Sequence, residues 1–164
     1  MAFPDYYLNS VLSIDLDALW SQGIKNILLD LDNTLLPRDR DEIPSEFKEW
    51  AHLIRAKGFK VCLLSNNWHG RIVDVAGDLD FELVSKAVKP FPPAYLMALH
   101  KLKAKAKNTV MIGDQLFTDV LGGTLMGMTT IMVLPLSKQD LKHTLMLRKV
   151  EKLIIRDRMP QESM

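Results

Sequence analysis

The sequence has few of the features that mark secreted, membrane-spanning or nucleic-acid-binding proteins. Its 164 residues include a single cysteine, Cys62, so an internal disulfide is excluded and a reducing compartment is expected. No apolar run reaches the roughly 20 residues needed to cross a bilayer, and no charged-then-apolar signal peptide opens the chain. The formal net charge is only +1, which gives no reason to expect a nucleic-acid partner. We therefore expect a cytoplasmic protein.

Internal repeats and low-complexity linkers are also missing, so we expect one domain spanning residues 1–164. Apolar residues make up 48% and charged residues 25%, as in globular proteins with a substantial core. Short apolar runs alternate with helical patterns, which predicts an α/β fold with a doubly wound parallel sheet of about five strands. The strands are predicted at 24–29, 60–64, 81–85, 109–112 and 129–134.

The first predicted strand is followed by Asp30-Leu31-Asp32-Asn33-Thr34-Leu35. An unpaired carboxylate in an apolar interior is costly, so both aspartates are expected at the carboxyl end of the strand. Because side chains alternate along a strand, Asp30 and Asp32 should point towards one site. Two like charges held together need a cation, and Mg²⁺ prefers oxygen ligands. The alternative is an ordinary polar turn.

The second and third predicted strands end in groups that can bind phosphate. Ser65-Asn66-Asn67 follows the second strand and precedes a helix, so it offers a hydroxyl and backbone N–H groups at the same edge as Asp30. Lys89 follows the third strand and can reach a phosphate or offset an acidic cluster. Lys86 is a competing candidate, but Pro90 restricts the backbone at Lys89.

The fourth predicted strand ends in Gly113-Asp114, and Asp119 follows near the start of a helix. A helix dipole favours an acid at its N-terminus and would explain Asp119, but it leaves Asp114 unexplained. Strand ends thus supply carboxylates, a hydroxyl and a lysine at one edge of the sheet. The pattern predicts a site for a metal ion and a phosphate.

These residues resemble the four ordered motifs of the haloacid dehalogenase (HAD) phosphatase superfamily. The resemblance rests on Asp30-Leu31-Asp32-Asn33-Thr34, Ser65, Lys89-Pro90, and Gly113-Asp114 with Asp119. The motifs lie within residues 24–134, most of the chain. Residues 30–35, 65–67 and 113–123 further resemble the YqeG-type phosphatases of subfamily IIIA, small bacterial proteins related to the mitochondrial phosphatidylglycerophosphate phosphatase. The resemblance implies a Rossmann-like, HAD-like fold.

The resemblance also implies a phosphatase reaction. Asp30 would be the nucleophile that forms an aspartyl-phosphate, a recognised covalent strategy for carboxylates. Asp32 would protonate the leaving oxygen and later deprotonate water. Ser65, Asn66 and Lys89 would bind the phosphoryl group. An aspartate two positions beyond the nucleophile favours a phosphatase over the dehalogenase branch.

A Mg²⁺ ion is implied in the same way. Its ligands would be Asp30, the backbone carbonyl of Asp32, and Asp114, with Asp119 in a supporting role. The implied substrate is phosphatidylglycerophosphate. Two alternatives stay open: a phosphatase of a soluble sugar or nucleotide phosphate, and a non-catalytic phosphate-sensing or scaffold protein. Asp32 argues against the last, since a binding module needs no proton-transfer group.

Many relatives carry a cap domain over the site, but here the available segments are too short. Residues 37–44 form only a loop, and one helix and one strand fill the chain between Ser65 and Lys89. The site should therefore be open to water. A bulky substrate, a membrane surface or a second copy of the chain is expected to cover it.

The two ends of the chain bear on that choice. The first dozen residues are rich in apolar and aromatic side chains, which either pack on the domain or form an interfacial anchor. Residues 138–158 contain seven Lys or Arg against three acids. They also carry an irregular apolar stripe: Leu141, Leu145, Val150, Leu153 and Ile154. We expect a terminal helix packed on the sheet or, alternatively, a surface that attracts anionic lipid at the inner membrane face.

Overall fold

The computed structural model describes residues 2–68, 70–138, 142–155 and 158–164. The strands are β1 (Tyr6–Leu8), β2 (Asn26–Leu29), β3 (Lys60–Leu64), β4 (Glu82–Val84), β5 (Thr109–Gly113) and β6 (Thr129–Val133). The α-helices are α1 (Leu16–Ser21), α2 (Ser45–Ala56), α3 (Gly70–Leu79), α4 (Pro92–Leu102), α5 (Leu121–Leu125) and α6 (Lys142–Ile154). A π-helical turn, Leu116–Val120, leads into α5.

The strands form one sheet in the order β1-β6-β5-β2-β3-β4, with every neighbouring pair parallel. The predicted α/β fold with a parallel sheet is therefore confirmed. The chain moves outwards from β2 through β3 to β4 and then returns to the other side of β2 with β5. Ligands of such sheets bind at the carboxyl ends of the strands, where the strand order reverses. In this sheet that point lies between β2 and β5.

The sheet has six strands, one more than the approximate number predicted. The additional strand is β1, which pairs with β6 at the sheet edge and places Tyr6 opposite Ile131. Leu8 and Val11 are fully buried. Of the two expectations for the start of the chain, packing on the domain is thus correct for these residues. A strand of three residues is too short to show an alternating pattern in the sequence. Its partner strand, β6, is also far away in the sequence, so no hairpin signal marks it.

Apolar side chains cover both faces of the central strands, as a buried parallel sheet requires. On one face, Ile27 and Leu29 of β2 belong to the cluster that includes the buried residues of α1, α2 and α3. On the other face, Leu28 and Cys62 pack with buried residues of α4. The strict alternation along β2 follows from the two-residue period of a strand. Helices on both sides hold the sheet, so its carboxyl edge is left for the site.

The C-terminal helix α6 departs from its predicted orientation. Leu145, Val150 and Leu153 are 44%, 42% and 67% exposed, so the expectation that this stripe packs on the sheet is wrong for them. Leu141 lies outside the described residues. Ile154, at the end of the stripe, does pack against the apolar cluster of Leu116, Val120, Met132 and Ile155. Polar side chains of α6 make the other contacts with the domain, as described for the site below. Among the described residues, no helix is both long and apolar enough to span a bilayer.

Candidate active site

The predicted site residues lie at the carboxyl edge of the sheet. Asp30 directly follows β2, Ser65 directly follows β3, and Asp114 directly follows β5. Lys89 lies in the loop between β4 and α4, while Asp119 lies in the π-helical turn. All five are buried. The structure thus brings these five predicted residues together. A polar residue directly after a buried apolar run marks a strand's end, which is the signal that placed Asp30, Ser65 and Asp114 at this edge.

Lys89 joins two of the carboxylates. Its Nζ atom lies 2.7 Å from Oδ1 of Asp30 and 2.6 Å from Oδ1 of Asp119. The Lys89 side chain is only 3% exposed, so both contacts are shielded from water. Lys86, the competing candidate, instead holds its Nζ atom 4.8 Å from the ring centroid of Trp68. Lys89 is thus the lysine that contacts the acidic cluster.

The end of β3 fixes the loop that carries Lys89. Oδ1 of Asn66 accepts a hydrogen bond from the Lys89 backbone N–H at 2.7 Å. The Ser65 carbonyl accepts one from the Ala87 N–H at 2.9 Å. The Ser65 hydroxyl oxygen also accepts the Asn67 N–H at 3.1 Å. The Asn66 side chain is exposed. Its hydrogen bond to the Lys89 backbone helps to hold the β4–α4 loop in the position that places Lys89 in the site.

Two neighbouring side chains, neither predicted to have this role, orient the aspartates. Nδ2 of Asn67 donates to Oδ2 of Asp32 at 2.6 Å. The Thr34 hydroxyl lies 3.4 Å from Oδ2 of Asp30 and 3.5 Å from Oδ1 of Asp114. Both residues occur in the quoted motifs, but the Asn67–Asp32 and Thr34–Asp114 contacts join separate strand ends. A local pattern contains no signal for such contacts.

The carboxylates meet closely enough to hold a metal ion. One oxygen each from Asp30, Asp114 and Asp119 lie within 4.8 Å of one another. Buried carboxylate oxygens are the hard ligands that divalent ions such as Mg²⁺ take, so the donor set fits. Asp119 already accepts from Lys89 and, at 3.2 Å, from the Gln115 N–H. Each of its two carboxylate oxygens therefore accepts one hydrogen bond, Oδ1 from Lys89 and Oδ2 from the Gln115 N–H.

Gly113 allows Asp119 to fold back over the end of β5. A Cβ atom at Gly113 would lie 2.1 Å from Oδ2 of Asp119, a distance that real atoms do not reach. Any larger residue would therefore displace the carboxylate that holds Lys89. Steric exclusion of a side chain therefore explains why glycine precedes Asp114 in the Gly113-Asp114 motif.

Burial dominates the proton equilibria of the site. It raises the pKa of Asp30 to about 6, although the Lys89 ammonium opposes the shift. Burial and the charge of Asp30 raise the pKa of Asp114 to about 7 against the opposing effect of Arg148. Burial alone would lower the pKa of Lys89, but Asp119 and Asp30 outweigh it and raise the pKa. The lysine stays charged, and the carboxylates need positive charge nearby to ionise fully.

Two site residues come from α6 and were missed. The Arg148 guanidinium donates to the backbone carbonyl and to Oδ2 of Asp114. Glu151, 4% exposed, accepts the backbone N–H of Leu116 at 2.8 Å. The sequence signal for this pair is limited to the i,i+3 spacing of Arg148 and Glu151, which allows an ion pair on a helix but does not indicate contact with Asp114 or Leu116.

Comparison with known proteins agrees with this geometry. Residues 87–144 match the HAD-hydrolase-like family. The probable phosphatase YqeG of Bacillus subtilis is 36% identical over 152 residues, which cover 93% of this chain and 88% of that protein. The chain therefore belongs to the phosphatases of the haloacid dehalogenase superfamily.

Solved structures share the fold at low sequence identity. A HAD phosphatase from Thermococcus onnurineus is 20% identical with a TM-score of 0.52, covering 69% of this chain and 58% of its own. The cobalt-bound deoxy-D-mannose-octulosonate 8-phosphate phosphatase of Haemophilus influenzae is 12% identical with a TM-score of 0.53. That match covers 82% of this chain and 89% of the other.

Proposed function

We propose that the protein is a Mg²⁺-dependent phosphomonoesterase of the YqeG type, subfamily IIIA, that acts through an aspartyl-phosphate on Asp30. The observation that carries the proposal is the buried contact of 2.7 Å between Lys89 and Asp30. A fixed cation beside the carboxylate favours its ionised, nucleophilic form and can also bind the oxygens of an incoming phosphoryl group. Asp32 lies two residues away and supplies the proton-transfer group.

The reaction has two displacements. Asp30 attacks phosphorus, an Asp30–phosphorus bond forms, and the bond to the leaving oxygen breaks as Asp32 gives that oxygen a proton. Asp32 then takes a proton from water, the water oxygen bonds to phosphorus, and the Asp30–phosphorus bond breaks to give free Asp30 and phosphate. The contact of 2.6 Å from Asn67 supports a fixed orientation of Asp32 for both proton transfers.

The remaining residues bind the transferring group and the metal. Ser65, Asn66 and Lys89 would bind phosphoryl oxygens at the ends of β3 and β4. Asp30, the Asp32 carbonyl and Asp114 would hold Mg²⁺. When bound, the ion would neutralise negative charge on the transferring phosphoryl group. Asp119 would keep Lys89 in place.

The substrate we propose is phosphatidylglycerophosphate, presented at the inner face of an anionic membrane to a cytoplasmic protein. Between Ser65 and Lys89 the described residues form only α3 and β4, which leaves the site without a cap. Helix α6, which contacts Asp114, exposes Leu145, Met146, Val150 and Leu153 together with Lys149 and Lys152. Apolar and basic side chains on one exposed helix suit an anionic lipid surface beside the site.

The catalytic assignment is tested by Asp30→Asn, with exposed Asp39→Asn as the matched control. The isosteric amide keeps hydrogen-bonding capacity but is a poor nucleophile, so we expect turnover to fall by about 10³-fold or more. Phosphate release is measured with lipid, sugar and nucleotide esters in Mg²⁺, Ca²⁺ and excess chelator. Chelator should abolish activity, and Ca²⁺ should not restore it because its looser coordination misplaces the nucleophile. Turnover by Asp30→Asn, or full activity in chelator, would contradict the mechanism.

The membrane assignment needs a separate experiment. Wild type and a Lys149→Glu/Lys152→Glu variant are sedimented with vesicles containing phosphatidylglycerol at low and high salt, and hydrolysis of the lipid substrate is compared with that of a soluble ester. We expect salt-sensitive binding that the charge reversal removes, because basic residues near an anionic surface contribute about 1 kcal/mol each. Faster hydrolysis of the soluble ester without vesicle binding would favour a soluble metabolite. A concentration-dependent dimer in light scattering would indicate that a second copy covers α6.

A further inference from the structure

Arg148 contacts Asp114 at two points. One guanidinium N–H donates to the Asp114 backbone carbonyl and another donates to Oδ2 of its carboxylate. The Asp114 side chain is fully buried and the Arg148 side chain is 13% exposed. A planar guanidinium that holds both the backbone and the carboxylate restricts rotation of the carboxylate. Oδ1 is then left near Thr34, at 3.5 Å from its hydroxyl, within the acidic cluster.

Glu151 fixes the arginine from the other side. Its Oε2 lies 3.5 Å from Nη1 of Arg148. Its Oε1 accepts the backbone N–H groups of Leu116 at 2.8 Å and Phe117 at 3.4 Å. These N–H groups open the π-helical turn that carries Asp119. A buried acid without such partners would be strongly destabilising, so these contacts explain how Glu151 can lie on the buried side of α6.

We propose that Arg148 is a positioning residue for the metal ligand Asp114, and that Glu151 holds Arg148 in place. The C-terminal helix is thereby part of the machinery that shapes the metal site. The inference rests on the proposed function, since it requires Asp114 to bind the ion. Removing a side chain that hydrogen-bonds to a metal-ligating residue typically lowers metal affinity by about 10–100-fold.

A different role for Arg148 gives the opposite sign. If the guanidinium were a fixed substitute for the metal charge, it would compete for the Asp114 carboxylate. Its removal would then make the site more negative and tighten metal binding. The direction of the change in metal affinity therefore separates a positioning residue from a competing cation.

The experiment measures Mn²⁺ binding to the full chain by electron paramagnetic resonance, without substrate. We expect Arg148→Ala to raise the Mn²⁺ Kd by about 10–100-fold. Arg148→Lys should recover only part of this loss, because an ammonium lacks the fork that reaches both oxygens. Glu151→Gln keeps an acceptor for Leu116 and should have a smaller effect. Lys152→Ala removes an exposed charge from the same helix and should leave the Kd within about 2-fold.

Activity supplies a second measurement that loss of folding cannot imitate. The Mg²⁺ concentration for half-maximal turnover should rise in Arg148→Ala, and saturating Mg²⁺ should restore much of kcat. Melting curves identify any variant that fails to fold; should Arg148→Ala do so, Arg148→Lys decides the question. An unchanged or lower Mn²⁺ Kd in the folded variant overturns the inference. Absence of Mn²⁺ binding by the wild type would instead overturn the metal site itself.

Discussion

Helices α2 and α6 bury opposite kinds of side chain. The buried side of α2 is apolar, with Phe47, Trp50, Ala51 and Ile54 in the core cluster that also contains Ile27 and Leu29 of β2. The buried positions of α6 include Thr144 and Glu151, with Arg148 nearly buried, while Leu153 is 67% exposed. Hydrophobic burial favours the first arrangement, at about 25 cal/mol per Å². Buried ions gain little stability by comparison. We infer that contacts with the active site orient α6, whereas apolar packing in the core orients α2.

The largest effect on stability is expected in α2. Ile54 is fully buried, so Ile54→Ala removes apolar contacts and leaves a cavity. We expect the free energy of unfolding to fall by about 2–5 kcal/mol. Urea denaturation measures it, with Leu53→Ala as the control on the same helix, since Leu53 is 46% exposed. Equal losses for the two variants would mean that the helix does not pack through the Ile54 face.

An intermediate effect is expected at the buried acid of α6. Glu151→Leu keeps similar bulk but leaves the N–H groups of Leu116 and Phe117 without their acceptor. An unsatisfied buried donor costs about 1–3 kcal/mol, so unfolding should become easier by that amount. Glu151→Gln retains a carbonyl acceptor and should lose less, which chemical denaturation can resolve. A Glu151→Leu variant more stable than the wild type would contradict this prediction. It would mean that apolar packing at position 151 outweighs the lost hydrogen bonds to Leu116 and Phe117.

The contrast between the helices also explains what the sequence could reveal. Asp30, Ser65 and Asp114 each follow an apolar run, so a local pattern located them together with the parallel sheet that gathers them. Arg148 contacts a residue that is 34 positions away, and Asn67 contacts one 35 positions away. Such contacts depend on the finished packing and leave no periodic signal.

The orientation of α6 was beyond reach for the same reason. An apolar stripe at helical spacing predicts a buried face, because burial is the commonest way to stabilise such a helix. The stripe contains no information about an ionic partner elsewhere in the chain. The edge strand β1 was missed through brevity, since Tyr6–Leu8 spans three residues. Local signals thus gave the sheet and the strand-end residues, and missed the elements that depend on distant partners.

The smallest effect on stability should come from the exposed side of α6. Leu153 is 67% exposed, so Leu153→Ser removes little buried surface and should change the free energy of unfolding by less than about 0.5 kcal/mol. The same substitution should weaken vesicle binding, because the leucine is then a lipid contact rather than a core residue. Urea denaturation at low and high protein concentration measures the first effect, and co-sedimentation measures the second. A loss of more than about 1 kcal/mol that grows with protein concentration would instead show that a second copy buries Leu153, since only association makes stability depend on concentration.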